Sequence, residues 1–277
     1  MKDIAIIVVN YKMRKHIEKC FSSLFPEIAT SNLQVEVVVI DNASSDGIEF
    51  FLKEKYPSVH FVGLQENQGF GRAQNIGMKS VEAKYYFVLN PDTFFRSGGQ
   101  ALQKLFRFME AHLHVGMVGP KLLNEDGTLQ SSCWRFPTFF QPVFSRTVLG
   151  HRGRGKKISD HYFMKDFDHN STRPVDVVMG SAMFVRAEAI QQVGGFDEKF
   201  KMYFEDTDWC LRMWEKKWAV YYVHDIILTH THRRGSAEIP GIIKGFFKNK
   251  LARIHFVSWL TYMWKWQRVY KYYVEKH

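Results

Sequence analysis

Residues 84–95 read KYYFVLNPDTFF. The apolar run 85–89 stops at Asn90-Pro91-Asp92. A buried strand that ends in a carboxylate needs a reason, and the neighbouring sequence supplies one. Runs rich in β-branched residues also stand at 4–9 and 35–40, with a shorter one at 59–62. Continuous apolar runs fit strands covered on both faces, as in a parallel sheet. Segments of helical character fall at 14–24, 48–55, 71–81 and 99–111. This alternation predicts an α/β fold with right-handed crossovers. Ligands of such sheets collect at the carboxyl ends of the strands. Here those ends carry Asn10-Tyr11-Lys12, the stretch from Asp41 to Asp46, and Asn90-Pro91-Asp92. The first turn has no GxGxxG, which argues against a dinucleotide dehydrogenase.

The chain has 277 residues, 45% of them hydrophobic and 16% aromatic, enough for one substantial core. Three cysteines, Cys20, Cys133 and Cys210, lie far apart without a CxxC, so neither a disulfide framework nor a zinc site is expected. The N-terminal MKDIAIIVVN reads as a first strand rather than a signal peptide, and no uncharged stretch has the length of a spanning helix. A formal charge of +10 favours anionic partners such as nucleic acid, acidic lipid or phosphorylated small molecules.

Residues 133–172 read as an irregular excursion or mobile loop, with Pro137, Pro142 and a basic run at 151–157. Order returns in a strand-like stretch at 175–185 that holds Gly180-Ser181-Ala182. A turn is expected at 194–197 and a helix from Glu205 to Lys217. Two short strands, 219–223 and 226–229, then lead to His230-Thr231-His232. The segment 239–277 differs in character: it reads as helical, strongly basic and aromatic, with apolar residues at roughly helical spacing.

Asp92, past a buried strand and beside other polar strand ends, is placed to hold a hard divalent cation, which prefers oxygen ligands and bridges to phosphates. Asn-Pro-Asp is also ordinary turn chemistry. Glu205, Asp206 and Asp208 crowd three acids into four residues. At a helix start they would complement the macrodipole. One of them is equally suited to take a proton from an attacking hydroxyl. Arg212, about two turns from Glu205, is a candidate to orient or neutralise the group. A neutral imidazole from His230 or His232 would complete a metal site with Asp92, although a polar strand end facing water explains either residue as well.

Taken together these pieces resemble the inverting family 2 glycosyltransferases of GT-A fold, in particular their bacterial rhamnosyltransferase-like branch. Seven motifs carry the resemblance in order: IAIIVVNYK (4–12), VVVIDNASSDG (37–47), ENQGFGRAQNIG (66–77), FVLNPDT (87–93), GSAMFVRAEAIQQVGGFDEKF (180–200), YFEDTDWCLR (203–212) and ILTHTHRRGS (227–236). It implies a Rossmann-like α/β architecture, a mixed and mainly parallel sheet flanked by helices. The glycosyltransferase domain is expected over 1–238 and a helical tail over 239–277. It implies nucleotide contacts at Asp41, with Asn10 beside it and Asp46 in the same loop, and at Asn67, Gly69, Arg72 and Asn75. Asn90-Pro91-Asp92 takes the place of the family's DxD metal motif, with one carboxylate where that motif has two. Asp206 matches the catalytic base, supported by Glu205 and Asp208, and His230 the histidine that closes the Mg²⁺ or Mn²⁺ site. Gly180 and Ser181 are expected to line the sugar pocket with Asn90. Arg233 or Arg234 is expected to assist the leaving diphosphate.

The implied reaction moves a sugar, with a lean to rhamnose from dTDP-rhamnose, onto a glycan or polyprenyl-diphosphate-linked acceptor. A UDP-hexose or UDP-N-acetylhexosamine donor remains the alternative. Trp134 would stack on an acceptor sugar or sit in the core. The basic aromatic tail suits either an anionic membrane surface, with the enzyme peripheral on the cytoplasmic leaflet, or packing on the domain or in a dimer. Nucleic acid is not expected as a partner, because no recognition helix, RNP sequence or zinc spacing accompanies the charge. A catalytically silent nucleotide-sugar binder would not need Asp92, Asp206 and His230 together. A sugar-nucleotide pyrophosphorylase would need a Gly-rich basic loop after the first strand.

Overall fold

The computed structural model describes residues 1–139, 153–231 and 249–267. The expected apolar runs form β1 (Lys2–Asn10), β2 (Val35–Asp41), β3 (His60–Gly63) and β4 (Ala83–Leu89). These four pair in parallel, so their carboxyl ends share one edge. Four further strands extend the sheet: β5 (Thr93–Phe95), β6 (Val115–Leu123), β11 (Ala182–Arg186) and β12 (Ala219–His230). The path of eight runs β3-β2-β1-β4-β11-β6-β12-β5. β11 lies antiparallel to both β4 and β6, and β12 runs parallel to β6. The end of β12 therefore reaches the same edge. β5 returns antiparallel to β12 and aligns Thr93 with His230. Two short strands flank this path, β7 (Leu129–Gln130) beside β6 and β9 (Arg173–Pro174) beside β12.

Alternation along β1 sorts the core into two layers. Ile4, Ile6 and Val8 pack with α1 (Arg14–Ser31), α2 (Ile48–Lys55) and α4 (Ala101–Ala111). Ala5, Ile7 and Val9 pack with α3 (Phe70–Lys79), α6 (Ala187–Val193), α7 (Glu205–Glu215) and α8 (Lys250–Trp266). Gly77 brings α3 close to the sheet: a Cβ there would meet Ile7 Cγ2 at 2.3 Å and Ile40 Cγ1 at 3.2 Å.

Three expectations are corrected. Residues 219–230 form one strand, with a register shift between Val223 and Ile227 where two short strands were expected. Pro120 of β6 faces this irregularity, and a proline has no N–H to give the ladder. The strand-like stretch 175–185 divides into β10 (Val177–Val178), paired with β8 (Cys133–Trp134), and β11. The excursion 133–172 is also not wholly irregular: it holds β8 and the helix α5 (Gly153–Tyr162). Residues 140–152 lie outside the described residues.

The described part of the tail, α8, is built into the protein. Trp259, Tyr262, Met263 and Trp266 are buried in the core layer of α3 and α7. Its opposite face leaves Lys250, Arg253, Phe256, Val257, Leu260 and Trp264 exposed. Among the described residues no helix is long and apolar enough to cross a membrane. The three cysteines are buried free thiols.

Candidate active site at the carboxyl edge of the sheet

At the end of β1, Asn10 is fully buried and acts as a hub. Its Nδ2 donates to Asp41 Oδ1 (2.8 Å) and Ser44 Oγ (3.0 Å) and reaches both Asp46 oxygens at 3.2 Å, while its Oδ1 accepts from the Met13 amide. Asp41 stays partly open at the strand end. Asp46 also has a structural task. It accepts the backbone amides of Arg14 and Ile48, which open α1 and α2, and so ties two helix starts to Asn10.

Asn42 binds the next loop, donating to Asn67 Oδ1 and to the Gly69 carbonyl and accepting from the Gln68 amide. Asn67 Oδ1 also accepts the Gly69 amide. Gly69 has φ 83°, and a Cβ there would lie 2.9 Å from the Lys201 carbonyl. Only glycine suits that approach. Arg72 extends into solvent and pairs with Glu198 at 3.5 Å. Asn75 faces the turn 194–197. Its Oδ1 accepts the Phe196 amide and its Nδ2 donates to the Phe196 carbonyl and Glu198, stapling α3 to the turn 194–197. Both polar atoms of Asn75 are thus engaged within the protein.

The Asn90 amide donates to the Ser181 carbonyl (2.8 Å), and Thr93 Oγ1 donates to the same oxygen (3.3 Å). This joins the loop after β4 to Gly180-Ser181. The Gly180 amide in turn donates to Asp206 Oδ2 at 3.1 Å. The loop that carries Asp92 and the Asp206 carboxylate thus meet the same short backbone segment. A side chain on Gly180 would crowd Asp206 Cβ at 3.3 Å, so this glycine permits the close approach.

Asp206 stands in the first turn of α7. Tyr203 and Phe204 before it both hold left-handed backbone, φ 70° and 65°, which bulky residues seldom adopt. α8 braces this bend: His255 packs on both rings, Tyr262 on Phe204, and Ser258 donates to the Met202 carbonyl.

Burial raises the pKa of Asp206, opposed by the amides of Gly180 and Thr207. Burial, then the Asp206 charge, pushes the Glu205 carboxyl up to about 8. The hydrogen bonds decide which of the two carries the charge. Asp206 accepts from Gly180 N, Thr207 N and Thr207 Oγ1, whereas Glu205 Oε2 accepts none among the described residues. Hydrogen bonds to an anion favour the anion. At neutral pH Glu205 holds its proton and Asp206 is the carboxylate of the pair.

Asp208 does not belong to the pocket. It is fully buried, with Oδ1 taking Lys265 Nζ (2.7 Å) and Trp266 Nε1 (2.9 Å) and Oδ2 taking Arg212 Nε (2.9 Å). Arg212 is therefore engaged by Asp208 rather than by Glu205. Lys265 also reaches Asp197 at 2.6 Å, so α8 is pinned to α7 and to the turn before it. Trp134 is partly buried against the core layer under α7. Arg233, Arg234 and His232 lie outside the described residues.

His230 is buried at the end of β12, with Nε2 3.3 Å from Asp92 Oδ1 and Nδ1 2.7 Å from Gln130 Oε1. Asp92 Oδ1 is a buried oxygen that accepts no hydrogen bond among the described residues. This carboxylate oxygen and the imidazole nitrogen that faces it fit two ligands of a Mn²⁺ or Mg²⁺ ion. No third histidine, cysteine or acid joins them among the described residues. Two open hollows, about 340 and 450 Å³, are lined by Phe136, Lys157 and Tyr162 and by Lys12, Lys15 and Asp46 among others; neither is lined by Asp92 or Asp206. Side-chain chemistry, not cavity size, locates the site.

Comparison with known proteins agrees with this geometry. The sequence profile of glycosyl transferase family 2 matches residues 4–194. The chain belongs to that family. It is a glycosyltransferase. A second profile, glycosyl transferase family group 2, matches residues 142–272. The chain is 28% identical over 248 residues to an N-acetylglucosaminyl-diphospho-decaprenol L-rhamnosyltransferase of Mycobacterium tuberculosis, covering 86% of this chain and 78% of that protein. It is 26% identical over 244 residues to the dTDP-rhamnosyl transferase RfbF of Shigella flexneri, covering 87% and 73%. Its fold matches the mannosyltransferase PcManGT of Pyrobaculum calidifontis, solved with GDP-Man and Mn²⁺, with a TM-score of 0.57 at 17% identity. That match covers 90% of this chain and 65% of the other, so this chain spans just under two thirds of that structure. The architecture is therefore GT-A.

Asn42, Ser44, Gln130 and Lys265 were not read from the sequence. Asn42 and Ser44 lay inside a quoted motif, so their strand-end position was the available signal. The turn residues Asn124-Glu125-Asp126-Gly127 flagged a hairpin that would have brought Gln130 back onto β6.

Proposed function

We propose that this glycosyltransferase transfers a sugar with inversion from a nucleotide-diphosphate donor to a hydroxyl of a lipid-linked glycan acceptor. The observation that carries the reading is the Asp206–Gly180–Ser181–Asn90 chain of contacts, which joins the candidate base to the loop of Asp92. Asp206, the ionised member of its pair, takes the proton of the acceptor hydroxyl as that oxygen attacks the anomeric carbon. Attack from the face opposite the diphosphate inverts the configuration in one displacement, and no covalent intermediate is required. Asp41 and the loop at Asn67–Gly69 hold the nucleotide, with Arg72 at the rim. Asn90, Gly180 and Ser181 border the sugar. Asp92 and His230 would hold a divalent cation, which supplies positive charge to the leaving diphosphate.

The relatives' names support rhamnose from a dTDP donor and a polyprenyl-diphosphate acceptor. An acceptor of that kind lies at a membrane. The outer face of α8 suits an anionic bilayer: Val257, Leu260 and Trp264 are exposed, with Lys250 and Arg253 on the same face. This reading makes the enzyme peripheral on the inner leaflet. Packing and docking then use opposite faces of one helix.

The test is a donor screen with purified protein, using dTDP-rhamnose and UDP- and GDP-hexoses, a polyprenyl-diphosphate N-acetylhexosamine acceptor, and Mn²⁺, Mg²⁺ or chelator. Acceptor-dependent nucleotide release with one donor and an inverted anomeric centre in the product are expected. Retention of configuration would remove Asp206 from its role, and silence with every donor would favour a nucleotide-sugar binder. Vesicle flotation checks the docking face: Leu260→Glu with Trp264→Glu should abolish binding to anionic vesicles, and unchanged flotation would reject it.

A further inference from the structure

Gln130 is not a reacting residue, yet it is buried and makes a 2.7 Å contact with His230 Nδ1. Which atom of each group donates follows from a chain of hydrogen bonds that begins at the surface. Asp126 is exposed, and its Oδ1 accepts the Thr128 hydroxyl proton at 2.6 Å. With that proton committed, Thr128 Oγ1 accepts from Asn124 Nδ2 at 2.8 Å. Asn124 Oδ1 is then the end that faces Gln130, and it accepts from Gln130 Nε2 at 2.9 Å. The same Nε2 donates to the His230 backbone carbonyl at 3.4 Å. Both neighbours of Nε2 are acceptors, so the Gln130 amide has one orientation, and its Oε1 faces the imidazole. An amide oxygen only accepts, so His230 Nδ1 must carry hydrogen. In the neutral ring Nε2 is left with its lone pair, 3.3 Å from Asp92 Oδ1.

We infer that Gln130 is a positioning residue that locks neutral His230 in the Nδ1–H tautomer, so that Nε2 offers its lone pair beside Asp92 as a cation ligand. This rests on the cation role proposed above for Asp92 and His230. A histidine ligand is generally oriented by the group that accepts its other N–H, and loss of that group weakens metal binding about 10–100-fold. The hairpin from β6 to β7 delivers that acceptor: Gly127, φ 82°, closes the turn, and Gln130 pairs with Leu122. Without Gln130 the ring would be free to place hydrogen on Nε2, which repels a cation.

Two measurements on the full chain test this. Nitrogen-15 NMR of the cation-free protein reads the tautomer of neutral His230 directly: Nδ1–H is expected in the wild type and a mixture in Gln130→Leu. Titration of Mn²⁺, followed by the EPR signal of the free ion, should show binding about 10–100-fold weaker in Gln130→Leu. Gln130→Glu keeps an acceptor for Nδ1–H but sets its second oxygen against Asn124 Oδ1 and the His230 carbonyl, so it should bind Mn²⁺ more tightly than Gln130→Leu without reaching wild type. Asn124→Ala, one link upstream, serves if Gln130→Leu does not fold, and should shift both readouts in the same direction. A wild-type Nε2–H tautomer overturns the inference. So does unchanged Mn²⁺ binding in Gln130→Leu when Asp92→Ala and His230→Ala weaken it. If Asp92→Ala and His230→Ala leave Mn²⁺ binding unchanged, the cation reading falls and takes the inference with it, even with Nδ1–H observed.

Discussion

Replacing Glu205 by glutamine should make the protein more stable, and increasingly so as pH rises. The folded chain holds this carboxyl up to about 8 from an ordinary 4.5, through burial first and the Asp206 charge second. Across that window the unfolded chain has released a proton that the folded chain keeps. The folded state binds more protons there, so wild-type stability falls as pH rises, by up to about 1.4 kcal/mol per pH unit. The full window sets a ceiling of roughly 5 kcal/mol. Relaxation around a buried carboxylate reduces this, and about 2–3 kcal/mol is the working expectation. Glutamine cannot ionise and shows no such loss. The contribution of Asp206 is common to both proteins and cancels in the difference. Urea denaturation at about pH 5, 7 and 8.5 measures it. The two proteins should be nearly equal at the lowest pH, and Glu205→Gln should lead by about 2–3 kcal/mol at the highest. Turnover of Glu205→Gln at neutral pH should stay within about tenfold of wild type. A gap that stays constant with pH, or one that favours the wild type at high pH, would refute the assignment of the proton to Glu205.

Other consequences follow from the same contacts. Because the base must be ionised and burial raises the pKa of Asp206, the acid limb of the kcat/KM profile should lie above the ordinary carboxylate range; a limb at or below about pH 4 contradicts this. Lys265→Ala leaves Asp208 with Arg212 and Trp266 among the described residues, and should cost about 1–3 kcal/mol in thermal or urea unfolding, with Lys265→Arg costing less. Gly77→Ala drives a methyl into Ile7 and Ile40 and should cost about 1–3 kcal/mol, whereas the same change at exposed Gly127 should show no clash and only the strain of its positive φ.

In the parallel half of the sheet β1 and β2 were legible from buried runs rich in β-branched residues and β4 from its apolar run, while β3 is short and only half-buried. β6 was not legible, although it is central. Gly116, Gly119 and Pro120 interrupt its apolar pattern, and punctuation of that kind normally marks loops. The structure gives the reason for the glycines: a Cβ at Gly116 would meet Trp218 Cβ at 2.7 Å, and one at Gly119 would meet Val178 Cβ at 2.5 Å. Packing demand erased the strand signal. The join in β12 opposite Pro120 is obscured for a related reason, since His224-Asp225 looks like a turn between strands and is a local shift within one.

Among the candidate site residues, Asn10, Asp41, Asp92 and His230 were legible as strand ends, and parallel topology gathers those ends at one edge before any side chain is considered. Asp208 joins the expected pocket only by proximity in sequence. Residues two apart on a helix do not face one another, so Asp206 and Asp208 point to different surroundings. The helical spacing itself carried that signal. The partner of Asp208 was not readable at all: Lys265 lies on a distant helix, and no periodicity links it to α7. The same holds for Gln130, whose role depends on which way an amide faces.

The central claim is that Asp206 removes the acceptor proton at a site shared with Asp92. Asp206→Asn tests it most directly, with acceptor-dependent turnover and donor affinity measured on the same preparation. The account predicts turnover lower by about 10²–10⁴-fold and a donor Kd within about threefold of wild type. Turnover within about tenfold of wild type, or a loss that falls wholly on donor binding, would contradict it.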